Sequence, residues 1–215
     1  MTKPIFVINF KTYDNAFGEQ GLALAKNIEE VARIKGMHVI ICVPATEIAR
    51  LAAAIKLTIY AQHTDATGTG QSTGWLPAKL LAAAGASGTL LNHSEHRLEN
   101  IAEHVKAAKD AGLAVILCAK DELEVKVLRN LPVDYIALEP PELIGGDTAV
   151  STAQPDVIAS AVRHAPANLL VGAGIKKRAD VVRSLELGAK GVLVASGIVR
   201  AQQPKDALLE FLSGW

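Results

Sequence analysis

Several polar side chains stand at the ends of short apolar runs in this sequence. Asn9 and Lys11 end the first such run. His93 and Glu95 follow the fourth run, and Glu139 follows the sixth. A carboxylate can remove a proton, an imidazole can polarise a carbonyl group, and an ammonium can stabilise negative charge as it develops. These residue types predict proton transfer beside a carbonyl group, with Glu139 as the base, His93 as the electrophile and Lys11 as the positive charge.

Small residues end two of the later runs. The seventh run ends in Gly172-Ala173-Gly174 and the eighth in Ala195-Ser196-Gly197. Because such small residues let backbone N–H groups approach a phosphate closely, the Gly174 and Ser196 turns are predicted to form a phosphate cradle. The expected substrate is therefore a phosphorylated carbonyl compound.

Eight apolar runs are expected to be the strands that position these residues. Each run is continuously apolar rather than alternating, which is typical of strands buried on both faces of a parallel sheet. Within the first strand, a period of two predicts that Asn9 and Lys11 lie on the same side. The runs are residues 5–10, 39–43, 57–61, 89–91, 114–119, 135–138, 169–171 and 192–195.

Helical patterns separate these runs. Apolar residues recur at helical spacing ahead of Gly36, Gly112 and Gly188, each of which can end a helix, and the last helix is expected to begin at Pro204. The segments after the second, third and fifth runs have room for only about two or three turns. The pattern predicts a single domain over residues 1–215. Its fold is predicted to be a compact α/β structure, a (βα)8 barrel of eight parallel strands with several shortened helices and an active site at the carboxyl ends of the strands.

A doubly wound open sheet is the competing fold. Its dinucleotide-binding form requires Gly-x-Gly-x-x-Gly directly after the first strand, where this chain has Asn9-Phe10-Lys11. The Gly-rich stretch at residues 68–74 lacks the Gly-Lys-Ser/Thr of a P-loop, so it is predicted to be a long loop. The barrel is therefore favoured.

The overall charge is balanced, with 22 Lys and Arg residues against 22 Asp and Glu residues. A nucleic-acid-binding protein usually carries a basic excess, so no nucleic-acid partner is expected. The longest stretch without any of these charged residues, residues 80–94, is too short and too polar to span a bilayer. No membrane partner is expected either.

The two cysteines indicate the compartment. Cys42 and Cys118 lie within apolar runs, far apart and without Cys-x-x-Cys spacing. Two buried, reduced thiols are the simplest interpretation, and they are typical of a reducing compartment. The first ten residues also lack the pattern of a signal peptide, because Lys11 stops their short apolar run. A cytoplasmic location is expected.

Five motifs follow one another on the predicted strand ends. They are Asn9-Phe10-Lys11, Asn92-His93-Ser94-Glu95-His96-Arg97, Glu139-Pro140-Pro141-Glu142-Leu143-Ile144-Gly145, Val171-Gly172-Ala173-Gly174-Ile175 and Ala195-Ser196-Gly197. With these motifs in this order, the whole chain resembles the triosephosphate isomerase family, most closely its short, archaeal-type branch. Any one motif alone would be a weak signal, whereas five in register are a strong one.

The resemblance implies the reaction and the roles of the catalytic residues. The expected reaction interconverts D-glyceraldehyde 3-phosphate and dihydroxyacetone phosphate, a step of glycolysis and gluconeogenesis, through an enediolate. Glu139 would be the proton acceptor and His93 the electrophile, while Asn9 and Lys11 would contact the substrate. Glu95 matches a carboxylate beside the site, for which a structural or supporting role is expected. No metal and no organic cofactor are expected, because the carbonyl group of the substrate itself delocalises the charge.

The resemblance also implies how the substrate phosphate is bound. Backbone amides in a lid at residues 140–150 and in two turns would surround it. The phosphate-binding residues that this predicts are Ile144, Gly145, Gly174, Ala195 and Ser196.

A helix is predicted to begin just after Ser94. Its N-terminus would disfavour a charged imidazolium at His93. A neutral ring is therefore expected to donate the hydrogen bond to the substrate.

A homodimer or homotetramer is a further implication of the resemblance. The loop around Thr73 reaches a neighbouring subunit in the family. From the sequence alone, Trp75 in this loop is either an interface anchor or a residue packed back on its own subunit.

Two other functions remain open at this point. A metal-dependent barrel hydrolase would draw its ligands from His63, Asp65, His93, His96 and Glu139, but the chain has no His-x-His or His-Glu-x-x-His spacing. A non-catalytic barrel that binds a phosphorylated metabolite is the second alternative, because a fold does not define a function. His38, His104 and His164 lie outside the strand ends, and no role is predicted for them.

Overall fold

In a computed structural model, which describes residues 3–144 and 149–215, eight parallel strands close into a barrel in sequence order. The barrel closes between the first and last strands, with Ile5 opposite Gly191. The strands are β1 (Ile5–Asn9), β2 (Val39–Val43), β3 (Thr58–Ala61), β4 (Gly88–Leu91), β5 (Ala114–Ala119), β6 (Tyr135–Leu138), β7 (Leu169–Val171) and β8 (Gly191–Val194).

Helices follow the strands and cover the barrel. They are α1 (Gly18–Lys35), α2 (Ile48–Ala54), α3 (Ala78–Ala83), α4 (Ile101–Asp110), α5 (Glu122–Leu128), α6 (Val150–Ala153), α7 (Pro155–His164), α8 (Arg178–Glu186), α9 (Ser196–Val199) and α10 (Pro204–Phe211). The helix α1 ends at Gly36, whose left-handed backbone lets its N–H bond the carbonyl groups of the last turn. In the part of the chain described, no helix is long and apolar enough to cross a membrane.

The strands have apolar side chains on both faces because both faces are buried. On β1, Val7 belongs to a cluster inside the barrel, whereas Phe6 and Ile8 pack in the layer between the strands and the helices. The same alternation along the other strands produces two concentric apolar layers. This explains why the strands read as continuous apolar runs in the sequence.

The predicted (βα)8 barrel is confirmed. The strands β2, β5, β6 and β7 coincide with the predicted runs; β1, β3 and β4 differ by one residue at one end, and β8 by one residue at each end. The helices α2, α3 and α5 are short, as expected, with 7, 6 and 7 residues. The prediction of a helix directly after Ser94 is wrong: residues 94–100 are not helical, and α4 begins at Ile101.

Candidate active site

The carboxyl ends of the strands surround a cavity that brings most of the predicted site residues together. Those that line it are Lys11, His93, Glu139, Ile144, Gly174, Ala195 and Ser196. Asn9 and Glu95 line an adjoining pocket, and Lys11 and His93 border both. Gly145 lies outside the described residues.

Lys11 lies just beyond β1 in a left-handed backbone conformation, with φ of 49°. The period of two therefore ends at Asn9, and other contacts orient the lysine. The backbone N–H of Lys11 donates to Oδ1 of Asn9 at 3.0 Å. The side chain of Gln62 donates to the carbonyl oxygen of Lys11 at 3.0 Å and lies 3.3 Å from Asn9 Oδ1. A backbone conformation this uncommon for a non-glycine residue persists only when its surroundings hold it.

The ammonium group of Lys11 forms an ion pair across the mouth of the barrel. Its Nζ lies 2.5 Å from Oε1 of Glu95, and the lysine side chain is 14% exposed whereas the glutamate side chain is 58% exposed. Glu95 thus contacts the charged group of the site from the solvent side. A pair with one well-solvated partner adds little stability, so its main consequence is the position of Nζ.

A backbone contact orients the ring of His93. The backbone N–H of Glu95 donates to Nδ1 of His93 at 3.2 Å. An N–H can donate only to an unprotonated ring nitrogen, so this contact favours the tautomer with its proton on Nε2. The neutral ring stays a prediction, and the contact that favours it comes from one backbone amide in a turn rather than from the N-terminus of a helix.

Glu139 follows β6 and is buried, with 4% of its surface exposed. Its Oε2 lies 3.7 Å from Nε2 of His93, beyond hydrogen-bond distance, and makes no hydrogen bond to the part of the chain described. A buried carboxylate oxygen without a partner is rare and calls for a functional explanation. His93 and Glu139 line the same cavity, so a small molecule bound there would lie beside both side chains.

Gly172 leaves the space that the side chain of Glu139 occupies. A Cβ at position 172 would lie 2.5 Å from Cγ and 2.6 Å from Oε1 of Glu139. Contacts that short do not occur, so a glycine is required for the observed orientation of the carboxylate. The sequence could have indicated this role, since a glycine directly follows β7 at the end of the barrel that carries the site.

The two buried thiols lie inside the barrel, within the electrostatic influence of Glu139. Burial raises the pKa of Cys118 well above its usual range, and the Glu139 carboxylate raises it further. Burial, with a smaller effect of the same carboxylate, also raises the pKa of Cys42. Both thiols therefore stay protonated and are poor nucleophiles.

Two turns line the same cavity as Lys11. In the first, Ala173 and Gly174 both have a left-handed backbone, with φ of 66° and 69°. A tight turn of this kind can present backbone N–H groups to an anion. Ala195 is the residue before the short helix α9, whose first residue is Ser196.

The sequence analysis assigned no role to two residues that shape this site. Asn92 has a left-handed backbone with φ of 59°; its side chain donates to the carbonyl of Cys118 at 3.0 Å and accepts from the N–H of Leu98 at 3.1 Å. It thereby fixes the turn that carries His93. Tyr13 lines the cavity beside Lys11. Asn92 belongs to a recognised motif, whereas no sequence signal distinguishes Tyr13.

The five ligands of the predicted metal-dependent alternative do not come together. Among the described residues, the one group of imidazole and carboxylate side chains close enough to share an ion is His63, Asp65 and His104. His93 and Glu139 are not part of this group. The cavity itself contains the ammonium of Lys11, which opposes a bound cation.

A closed eight-stranded barrel with a carboxylate and an imidazole at the carboxyl ends of its strands is typical of (βα)8-barrel enzymes that transfer protons. Comparison with known proteins identifies the family. The sequence profile of triosephosphate isomerase matches residues 4–212. The chain belongs to the triosephosphate isomerase family and is an isomerase.

Relatives at about 40% identity support this assignment along the whole chain. The triosephosphate isomerase of Sulfurisphaera tokodaii is 41% identical over 218 residues, covering 99% of this chain and 95% of that protein. That of Metallosphaera sedula is 40% identical, covering 100% and 96%. A crystal structure of triosephosphate isomerase from Bartonella henselae superposes with a TM-score of 0.76 over 98% of this chain and 99% of that one, and its 22% identity supports the fold alone.

Proposed function

We propose that this protein interconverts D-glyceraldehyde 3-phosphate and dihydroxyacetone phosphate through an enediolate, with Glu139 as the base and His93 as the electrophile. One observation carries the proposal. Oε2 of Glu139, which is buried and has no hydrogen-bond partner among the described residues, lies 3.7 Å from Nε2 of His93, and both side chains line one cavity. A base and a hydrogen-bond donor so close together can act on adjacent atoms of one small substrate.

The reaction moves one proton between two neighbouring carbons. Glu139 removes the proton from the carbon beside the carbonyl group and returns it to the other carbon. His93 donates the Nε2 hydrogen bond to the carbonyl oxygen and then transfers a proton between the two oxygens of the enediolate. The neutral tautomer that the Glu95 N–H favours is the form that can perform this transfer. Triosephosphate isomerase is the standard example of a glutamate base paired with a neutral histidine electrophile.

Asn9 and Lys11 contact the substrate and stabilise the negative charge that develops on it. The low exposure of Lys11 strengthens its electrostatic interaction with a bound anion, because less water screens it. Glu95 positions Lys11 through their ion pair, which agrees with a supporting role rather than direct proton transfer.

Backbone amides bind the phosphate of the substrate. Gly174, Ala195 and Ser196 belong to the two turns on the cavity wall, and Ile144 lines the same cavity from the segment after β6. We include Gly145 in this set from the family resemblance. A lid at residues 140–150 would exclude water from the enediolate and prevent loss of its phosphate.

The proposal extends to the organisation of the protein. Residues 1–215 act as one catalytic domain that needs no metal or organic cofactor for the isomerisation, and two buried unpaired thiols favour a cytoplasmic location. A homodimer or homotetramer is supported by Trp75, which is 58% exposed and therefore is not packed back on its own chain. Analytical ultracentrifugation at low concentration tests this assembly, and a fully active monomer would contradict it.

A coupled isomerase assay with and without a chelator tests the function. We expect rapid turnover of D-glyceraldehyde 3-phosphate to dihydroxyacetone phosphate that EDTA leaves unchanged. A metal-dependent hydrolase would release phosphate and lose activity to EDTA. A non-catalytic metabolite-binding barrel would bind the substrate without turnover.

A further inference from the structure

Outside the active-site cavity, three histidines and an aspartate meet at the base of the long loop between β3 and α3. His63 and Asp65 lie where this loop begins, whereas His96 and His104 come from the segment after β4 and from α4. The rings of His63 and His96 are stacked with their centroids 4.1 Å apart, and His104 lies 5.9 Å from His63. No catalytic step described above uses this cluster.

Three of these side chains direct ligand atoms toward one another. One nitrogen or oxygen atom from each of His63, Asp65 and His104 lies within 4.8 Å of the other two. The closest pair, Nε2 of His63 and Oδ1 of Asp65, is 3.1 Å apart. Ligands of a tetrahedral zinc ion are about 3.3 Å apart, given metal–ligand bonds of about 2.0–2.1 Å. His63 and Asp65 already have nearly this separation, and the nitrogen of His104 would have to approach by at most about 1.5 Å to complete the ligand set.

His104 and Asp65 also make hydrogen bonds through their other polar atoms, as metal ligands typically do. The Nδ1–H of His104 donates to the carbonyl oxygen of Asn100 at 3.0 Å, which leaves the lone pair of the ring on Nε2. Oδ2 of Asp65 accepts from the N–H of Leu76 at 2.6 Å, whereas Oδ1 pairs with Nε2 of His63 at 3.1 Å, so a bound ion would replace the proton that these two atoms share. Metal-binding histidines and carboxylates are usually oriented by such outer hydrogen bonds.

The surrounding charges also suit a cation. The set contains one carboxylate, that of Asp65, and the charge of Lys11 is offset by its ion pair with Glu95.

We propose that His63, Asp65 and His104 bind one divalent metal ion of the zinc type. Two imidazoles and one carboxylate are a usual ligand set for zinc with water in the fourth position. The ion joins the base of the β3–α3 loop to α4. The loop base is already closed by the hydrogen bonds between Asp65 and Leu76, and Trp75 adjoins it. The ion therefore fastens the loop that carries Trp75 and takes no part in the isomerisation.

Titration of the full-length, EDTA-treated protein with Zn2+ in a calorimeter tests the site, with Co2+ as a spectroscopic probe of four-coordinate geometry. We expect one equivalent per chain. His104→Gln should bind at least about 100-fold more weakly, since loss of an outer contact alone costs about 10–100-fold. His164→Gln is the matched control, because His164 is also a half-buried helical histidine but lies on α7, and it should bind like the wild type.

Thermal unfolding supplies a second measurement. At free Zn2+ of about one hundred times the dissociation constant, the wild-type melting temperature should rise by about 5–10 °C, and His104→Gln should show no rise. Asp65→Asn keeps an acceptor for the N–H of Leu76 but removes the charge, so it should also lose the effect. If His104→Gln fails to fold in EDTA, the Asp65→Asn variant alone tests the metal site. The proposal is overturned if the wild type binds no Zn2+, or if the folded ligand variants bind it as tightly as His164→Gln.

Discussion

Replacing Glu139 with Asp tests the proposed mechanism most directly. The change keeps a carboxylate at the position but shortens the side chain by one methylene. In the structure, Oε2 of Glu139 lies 3.7 Å from Nε2 of His93, and the side chain rests against Gly172. The carboxylate of Asp would lie close to the present position of Cγ. It would therefore withdraw by about 1 Å from a carbon whose proton must be removed at near contact.

A displacement of this size has a calculable cost. Misplacement of a reacting group by about 1 Å can lower the rate about 100-fold, which corresponds to about 2.7 kcal/mol of activation free energy. The position of the base matters mainly in the transition state, so the variant should lose kcat with little change in KM. Glu139→Gln removes the base altogether and should cost more than Glu139→Asp.

Steady-state kinetics of the two variants in the coupled isomerase assay measures both effects. Glu186→Asp is the matched control, since Glu186 is an exposed glutamate at the end of α8 and the same change should leave kcat unaltered. If Glu139 were a bystander, the Asp variant would be nearly silent and the Gln variant no worse. Wild-type kcat in both would refute the assignment of Glu139 as the base.

Three further variants test other parts of the site and the barrel. Lys11→Met should lower kcat/KM about 100-fold or more, because it weakens substrate binding and slows chemistry together. Added salt should not change the ratio of the wild-type to the variant kcat/KM, because the interaction is sheltered from screening, and an unchanged kcat/KM would remove Lys11 from the site. Gly172→Ala should lower kcat at near-wild-type stability, because a Cβ would lie 2.5 Å from the Glu139 side chain and displace it. Kinetics and a thermal melt separate a loss of kcat from a loss of stability, and an unaltered kcat would contradict the role of Gly172. Gly191→Ala places a Cβ 2.0 Å from a carbonyl oxygen of β1 and should destabilise the barrel by about 3 kcal/mol, which lowers Tm by about 6–12 °C. Gly68→Ala is the control, because position 68 has open space around it and its Tm should not change; equal Tm values for the two variants would refute this prediction.

The strands and their order could be predicted from the sequence alone. A parallel strand that is buried on both faces must be apolar at every position, so β2, β5, β6 and β7 coincide with the apolar runs. Because all carboxyl ends of parallel strands lie at one end of a barrel, the polar residues that follow the runs were also predictable as one group. Lys11, His93 and Glu139 do line one cavity.

The backbone around His93 could not be predicted in the same way. The sequence indicates a helix soon after β4, and in the structure the helix begins only at Ile101. Capping and turn geometry depend on which hydrogen bonds the folded chain offers, here those that Asn92 makes to Cys118 and Leu98. The contact that favours a neutral ring at His93 is the N–H of Glu95, and no periodicity encodes it.

Contacts between distant parts of the chain were decided by the tertiary structure alone. Lys11 and Glu95 are 84 residues apart in sequence and form an ion pair. His104, for which the sequence suggested no role, lies beside His63 and Asp65 because the pairing of β3 with β4 brings α4 next to the loop after β3. The amino-acid pattern records which faces are buried, since burial depends on residue type along a local period. Which side chains meet depends on the register of the closed barrel and on the rotamers its packing allows, and these exist only once the whole chain has folded.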